Sequence, residues 1–404
     1  MKGVIYQDQR IAEEFCNLEC DYCEGFCPTE YFLKYDKNNN LCVPDEWFKK
    51  IKKMPLEVRK HFENTRKLND FYQLSYETIN NSKKVVNADI LKISGGEITV
   101  YSKLADFVER VHKNYKLVQI LTNGLIITNE DLERYKKMEN IVFQISLDGI
   151  DYKSNFTRTH NERITKKILD NIDLILKYSF GVEINCVITK YNIYNFLNML
   201  EKYKNAKNFL IVPRPVRGEP KEVLKCSTKQ LIEFEKTIMK YYDEYENILP
   251  PMEYFNRLFK MMAEEKRAYR CYIPYFILSV DGYGNIEQCP CGLTGDYKYN
   301  LLSKKADFKN ILLDSEYNAL KKYKECTYCM NQYELINLYI DGEIKENDLK
   351  RVPSLNTEEI IRDIMKIKEM INIKMIKEVI NKNYFDGDIF IKKMKILQME
   401  MYIL

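Results

Sequence analysis

Cys16, Cys20 and Cys23, in the run Cys16-Asn17-Leu18-Glu19-Cys20-Asp21-Tyr22-Cys23, set three thiols in a C-x3-C-x2-C pattern. As thiolates they can hold three corners of a cubane iron–sulfur cluster and leave the fourth iron without a protein ligand, a position open to chemistry. Spacing alone does not decide this, because zinc loops, disulfide knots and unattached thiols give the same triplet. A second group lies far down the chain: Cys271, then Cys289-Pro290-Cys291, then Cys326-Thr327-Tyr328-Cys329. The turn residues of Val280-Asp281-Gly282-Tyr283-Gly284 predict a hairpin that returns Cys271 to the side of Cys289. The following C-x2-C completes four thiolates, a set that suits an iron–sulfur cluster or a structural zinc.

Twelve cysteines in a chain whose opening has no signal-peptide pattern should be mostly reduced, so metal or redox chemistry outranks a disulfide framework. The three histidines, His61, His112 and His160, fall in no C-x2-C…H-x3-H arrangement, which leaves sulfur as the metal donor. At 404 residues, 45% hydrophobic and 30% charged, the chain is globular and long enough for two or three domains. Basic and acidic residues nearly cancel, 63 against 59, which argues against a nucleic-acid partner held by phosphate contacts. The longest apolar run, residues 272–280, is far short of the roughly 20 residues a membrane helix needs, so a cytoplasmic protein is expected.

The elements that must position these residues follow in order. After a polar stretch at 37–40, apolar residues at helical spacing (Trp47, Ile51, Met54, Phe62, Phe71, Leu74, Ile79) predict a helical insertion over about 40–88. Short β-rich runs then alternate with helices. Residues 90–94 end in Gly95-Gly96-Glu97, residues 117–121 in Thr122-Asn123-Gly124, and residues 141–145 in Ser146-Leu147-Asp148-Gly149. Further runs at 182–188 and 209–214 follow, with helices at 104–113, 130–137, 164–178 and 195–203. Repeated βαβ units mean a parallel sheet with right-handed crossovers. Its functional groups belong at the C-terminal strand ends, where these runs turn polar or glycine-rich.

C-x3-C-x2-C, Gly-Gly-Glu, Thr-Asn-Gly and Ser-Leu-Asp-Gly, in that order on successive strands, resemble the radical S-adenosylmethionine (radical SAM) superfamily over about residues 10–215. The resemblance implies an α/β fold, a partial (β/α)6 barrel over 1–220 that includes the insertion. In it Cys16, Cys20 and Cys23 ligate a [4Fe-4S] cluster whose open iron binds S-adenosylmethionine. It also implies that Gly95 and Gly96 let backbone carbonyls approach the ammonium of that cofactor, with Glu97 as countercharge. Ser146 and Asp148 would contact its carboxylate or ribose, and Tyr22 would pack near its adenine. Arg158, a planar double donor, is a candidate clamp for the carboxylate or else a solvated surface arginine. For Ser146 and Asp148 the alternative is an ordinary strand-end turn.

Residues 221–268 read as a helical bridge. Across 269–345, Cys271, Cys289, Cys326 and Cys329 resemble the truncated SPASM, or twitch, domain, a small α+β unit holding one auxiliary [4Fe-4S] cluster. A full SPASM domain has further cysteines, and none follows Cys329. Cys291 can replace Cys289 or, like Cys27, stay unassigned; Cys186, on a strand, is a small core residue or a hydrogen-atom donor. With four thiolates on it, the auxiliary cluster has no open iron and would accept or relay an electron. Residues 346–404 read as a helical tail, capped at Asn356-Thr357, with Ile360, Ile364, Ile367 and Ile371 on the face that docks over the auxiliary unit and lysines on the other; the run from 389 is apolar enough to be packed.

The implied activity is reductive cleavage of S-adenosylmethionine to a 5′-deoxyadenosyl radical that abstracts a hydrogen atom from a peptide or protein. A low-potential flavodoxin- or ferredoxin-type donor would supply the electron. Against a peptide substrate, the cysteine motif begins at residue 16 and leaves no room for an N-terminal leader-binding domain. Oxidation of a small-molecule alcohol, as in aminocyclitol dehydrogenases, is the alternative, and a non-catalytic iron–sulfur or zinc protein the third reading. Arg214 and Arg217, past the last barrel strand, are contacts for a substrate carboxylate or surface charge.

Overall fold

The computed structural model describes residues 2–11, 16–18, 20–23, 71–84, 86–100, 103–217, 220–267, 269–282, 284–287, 300–303 and 329–381. Cys27, Cys289, Cys291 and Cys326, most of the 40–88 insertion and the final run from 389 lie outside the described residues, with the expectations made for them.

Eight strands form one sheet: β1 Lys2–Ile11, β2 Val86–Gly95, β3 Leu117–Thr122, β4 Ile141–Ser146, β5 Gly181–Ile188, β6 Phe209–Pro215, β7 Ile277–Val280 and β8 Ile286–Glu287. Their order is β6-β5-β4-β3-β2-β1-β7-β8. Neighbours from β6 through to β7 pair in parallel, and β8 closes the row antiparallel to β7. The sheet is strongly curled. Tyr6 on β1 and Glu183 on β5 are four strands apart, roughly 19 Å in a flat sheet. Yet both reach Ser354: Tyr6 Oη lies 3.2 Å from its Oγ, and its backbone N–H donates to Glu183 Oε1 at 2.8 Å. That loop plugs the N-terminal end of a partial barrel.

Helices Leu104–Val111, Asn129–Lys136, Glu162–Lys177 and Phe196–Tyr203 follow β2, β3, β4 and β5 as the alternation predicts. Thr128 and Asn161 cap the second and third by accepting from backbone N–H groups of the first turn. Phe143 meets Tyr135 of this helix layer at 5.9 Å, so Gln144, next along β4, faces the concave side. Parallel strands buried on both faces account for the near-continuous apolar runs.

Four expectations need correction. The opening MKGVIYQDQR, read only as lacking a signal peptide, is the ten-residue β1. Its polar side chains are buried on both faces: Asp8 accepts from Ser94 and Tyr333, and Gln7 accepts from Ser82 and Tyr115. β2 starts at Val86, inside the expected insertion, because its first residues pair with Lys2, Gly3 and Val4. The hairpin β7–β8 forms as expected, but β7 adds to the barrel sheet beside β1 (Tyr6↔Ile277 to Gln9↔Val280), so the 269–345 unit shares the barrel's sheet. The tail helix Glu358–Asn381 buries Ile360, Ile364, Ile367 and Ile371 as predicted, and packs against β1 as well as against helix Glu334–Asp341.

Candidate cofactor site at the C-terminal edge of the barrel

The loop bearing Cys16, Cys20 and Cys23 is pinned at several points to the C-terminal strand ends. Asn123, just past β3, donates from Nδ2 to Asn17 Oδ1 at 2.6 Å. The Asp21 N–H donates to Thr157 O at 2.8 Å, and His160 Nε2 lies 2.9 Å from Asp21 Oδ1. The Tyr22 hydroxyl donates to the Asp148 carboxylate, while the ring packs on the small cluster of Val187, Val216 and Leu224. Cys20 is close enough to Cys16 and Cys23 to feel both electrostatically. Among the described residues no three His, Cys, Asp or Glu side chains converge as a single-ion site. Three soft thiols spread along one loop suit a polynuclear iron–sulfur group.

Asp148 and Arg158 form the site's charged centre. Arg158 is 5% exposed and Asp148 1%, which rules out the solvated-arginine reading. Arg158 Nη2 donates to Asp148 Oδ1 at 3.1 Å, and the Val187 N–H donates to the same oxygen at 2.8 Å. With Tyr22 on Oδ2, the Asp148 carboxylate ties Arg158 and Tyr22 to β5. Arg158 Nη1 is 4.0 Å from Cys20 Sγ, and its guanidinium lies 5.5 Å from the Tyr22 ring centre. Burial pushes the Cys20 thiol up to about 12, with Arg158 pulling it down in part. Arg158 Nε and Thr157 Oγ1 are buried with no hydrogen-bond partner. A donor left unmet beside the thiols is what a bound anionic group would satisfy.

Glu97 and Gly95 serve the scaffold. Glu97, buried, accepts from Thr99 N and Oγ1, from Thr122 Oγ1 and from Asn123 N, at 2.6–3.0 Å. It joins the ends of β2 and β3 through these bonds. At Gly95 a Cβ would sit 2.0 Å from the Ile11 carbonyl oxygen, so the glycine is required by the approach of β1. Gly96 follows it, and Ser146 ends β4 opposite Asn185, half-buried at the rim.

Residues 13–203 match the family model described as the Radical SAM superfamily. Over these residues the chain is similar to the radical SAM superfamily. It is 22% identical over 206 residues to the antilisterial bacteriocin subtilosin biosynthesis protein AlbA of Bacillus subtilis (strain 168), a match covering 49% of this chain and 43% of AlbA. The chain thus spans less than half of that relative's length. Among solved structures, Streptococcus suis SuiB bound to precursor peptide SuiA aligns with a TM-score of 0.49 at 16% identity, over 78% of this chain and 65% of SuiB. Native anSMEcpe with bound AdoMet aligns with a TM-score of 0.48 at 16% identity, over 93% and 99%.

A second pair of cysteines lies beyond the barrel. Cys271 is half-buried and Cys329 buried, and both lie within electrostatic reach of Arg267. Arg217 Nη1 is 3.4 Å from Cys329 Sγ, so Arg217 faces that sulfur and is not a surface charge. Arg214, half-buried, reaches Gln332 Oε1 at 3.4 Å. The sequence left both arginines as substrate contacts or surface charge; the structure turns Arg217 to Cys329. Cys186 packs on the helix side of β5, with Sγ 3.8 Å from the Asp148 carbonyl, as a core residue. The contacts of Asn17, Asn123, Thr157 and His160 were missed, because nothing local in the sequence says that these polar side chains meet. No helix of the described residues is long and apolar enough to cross a membrane.

Proposed function

We propose that this chain is a radical SAM enzyme acting on a peptide or protein, with one auxiliary [4Fe-4S] cluster. The observation that carries the reading is the three-thiol loop pinned over the barrel mouth beside a buried arginine with an unmet donor. Cys16, Cys20 and Cys23 would hold the first cluster, and Cys271 and Cys329, with Cys289 and Cys326, the second. When bound there, the cluster and S-adenosylmethionine, with a flavodoxin- or ferredoxin-type electron donor, would supply hydrogen-atom abstraction from the substrate. The chain's own part is positioning. Arg158 presents a donor to the cofactor carboxylate, Asp148 and Tyr22 hold Arg158, and Glu97 keeps the rim of β2 and β3 together. The bacteriocin-biosynthesis relative supports a peptide substrate.

Iron and labile sulfide per chain, after anaerobic reconstitution, test the two-cluster assignment. Wild type should hold about eight irons, and both Cys16/Cys20/Cys23→Ala and Cys271/Cys329→Ala about four. An unchanged iron content in the second variant would remove the auxiliary cluster from the account.

A further inference from the structure

The concave face of the barrel is polar in a way the cofactor site does not use. Gln119 on β3, Gln144 on β4, and Glu183 and Asn185 on β5 are all at most 1% exposed. Gln119 Nε2 and Gln144 Nε2 both donate to Glu183 Oε2, at 2.8 and 3.3 Å, and the Ser354 N–H takes Oε1. Burial pushes the Glu183 carboxyl above its ordinary value, while three donors on its two oxygens and nearby Lys92 favour the ionised form. They also fix the amide orientation, since a flip would turn a carbonyl onto a carboxylate. The two amide oxygens must therefore point away from Glu183. Gln119 Oε1, Gln144 Oε1 and Asn185 Oδ1 are each buried without a partner. Asn185 stands two residues above Glu183 and two below Val187, roughly 7 Å each way, and Val187 packs near Tyr22 of the cysteine loop. The orphan acceptors thus lie between the floor of the barrel and its mouth.

Charge selects among donors. At the floor, Lys92 Nζ lies 3.9 Å from Asp8 and 4.9 Å over the Tyr333 ring. Glu183 has no cation in ion-pair contact among the described residues, and Arg10, nearer the mouth, is paired with Glu287. Among the described residues, two carboxylates, Asp8 and Glu183, face the single ammonium of Lys92 there. Three buried, unmet acceptors lining one lumen near two carboxylates suit a cation with several N–H groups.

We propose that the barrel lumen receives a cationic side chain of the substrate, an ammonium or guanidinium, held by Gln119 Oε1, Gln144 Oε1 and Asn185 Oδ1 above Glu183. The proposal deepens the peptide reading above by naming the class of residue that enters the barrel. A lysine- or arginine-bearing segment would insert this group from the mouth and so place its neighbouring C–H bonds below the cysteine loop.

The test uses the reconstituted chain, with and without S-adenosylmethionine, titrated in saturation-transfer NMR with Nα-acetyl-lysine methylamide and with its norleucine and Nε-acetyl-lysine counterparts. The lysine probe should bind at least about tenfold more tightly than the other two. Gln144→Leu and Asn185→Leu should each bring that preference to within about twofold, with the affinity for S-adenosylmethionine kept. Equal binding of the norleucine or acetylated probe, or no binding of any probe, overturns the proposal; this comparison needs only wild type, whatever the variants do to folding. Loss of S-adenosylmethionine binding with the lysine preference intact would count against the radical SAM activity and leave the lumen site standing.

Discussion

Asp148→Asn and Arg158→Gln, alone and together, probe the charged centre of the site. Arg158 and Asp148 are 6% and 0% exposed in their side chains, and the bond between them is 3.1 Å. Breaking one side of a buried, hydrogen-bonded ion pair costs about 3–5 kcal/mol, because the other charge stays in a poor solvent. In Asp148→Asn the stranded group is a guanidinium stacked toward Tyr22, and the Val187 N–H keeps an acceptor. In Arg158→Gln it is a carboxylate that still holds the Tyr22 hydroxyl and the Val187 N–H, so this variant should be the milder one. The double variant removes both charges together and should be more stable than the sum of the singles predicts by at least about 1.5 kcal/mol. Urea unfolding of the metal-free chain under reducing, anaerobic conditions, compared at constant m-value, reads the cycle directly. Additivity within about 0.5 kcal/mol would mean that the two groups do not act as a pair, and the positioning role given to Asp148 would fall with it.

Gly95→Ala should lower Tm through a loss of about 1–3 kcal/mol, because the added carbon meets the backbone carbonyl of Ile11, which cannot rotate aside as a side chain would; an unchanged melting curve contradicts the β1–β2 approach. Glu97→Gln turns an amide N–H₂ toward the donors of Thr99, Thr122 and Asn123 and should cost about 1–3 kcal/mol in urea unfolding, whereas a neutral result would mean the carboxylate is not the link between β2 and β3. Burial pushes the Asp89 carboxyl from 3.8 up to about 6, despite Lys116 at 2.8 Å. A folded-state value above the unfolded one means that the contribution is fully present below about pH 4 and is lost as pH rises through about 6. Asp89→Asn, which does not titrate, should therefore gain stability relative to wild type between pH 4.5 and 7.5 by thermal melts; a relative loss over that window would reverse the sign.

The parallel α/β layout was legible because β-branched runs and amphipathic helices alternate without interruption from β2 to β6. The four strand-end motifs were legible too, since each couples a short run to residues that a strand interior does not favour. β1 was not, because Gln7, Asp8 and Gln9 break the apolar pattern that marks a buried strand, and their partners Ser82, Tyr115, Ser94 and Tyr333 are 75 to 325 residues away. The protein partners of Glu97 and Asp148 were hidden for a related reason. A carboxylate at a strand end reads as available until the donors that fill it are seen, and Thr122, Asn123 and Val187 come from other strands. One signal was open to reading and was passed over. Gln119, Gln144, Glu183 and Asn185 interrupt otherwise apolar strands, and on β5 they recur at every second residue. That alternation marks a polar lumen inside an apolar shell.

The most direct measurement is the products formed when the anaerobically reconstituted, dithionite-reduced chain is mixed with S-adenosylmethionine. The account predicts 5′-deoxyadenosine and methionine in equal amounts from wild type, and neither from Cys16/Cys20/Cys23→Ala. A wild-type chain carrying its full iron and yielding no 5′-deoxyadenosine, or a triple variant yielding as much as wild type, would contradict it.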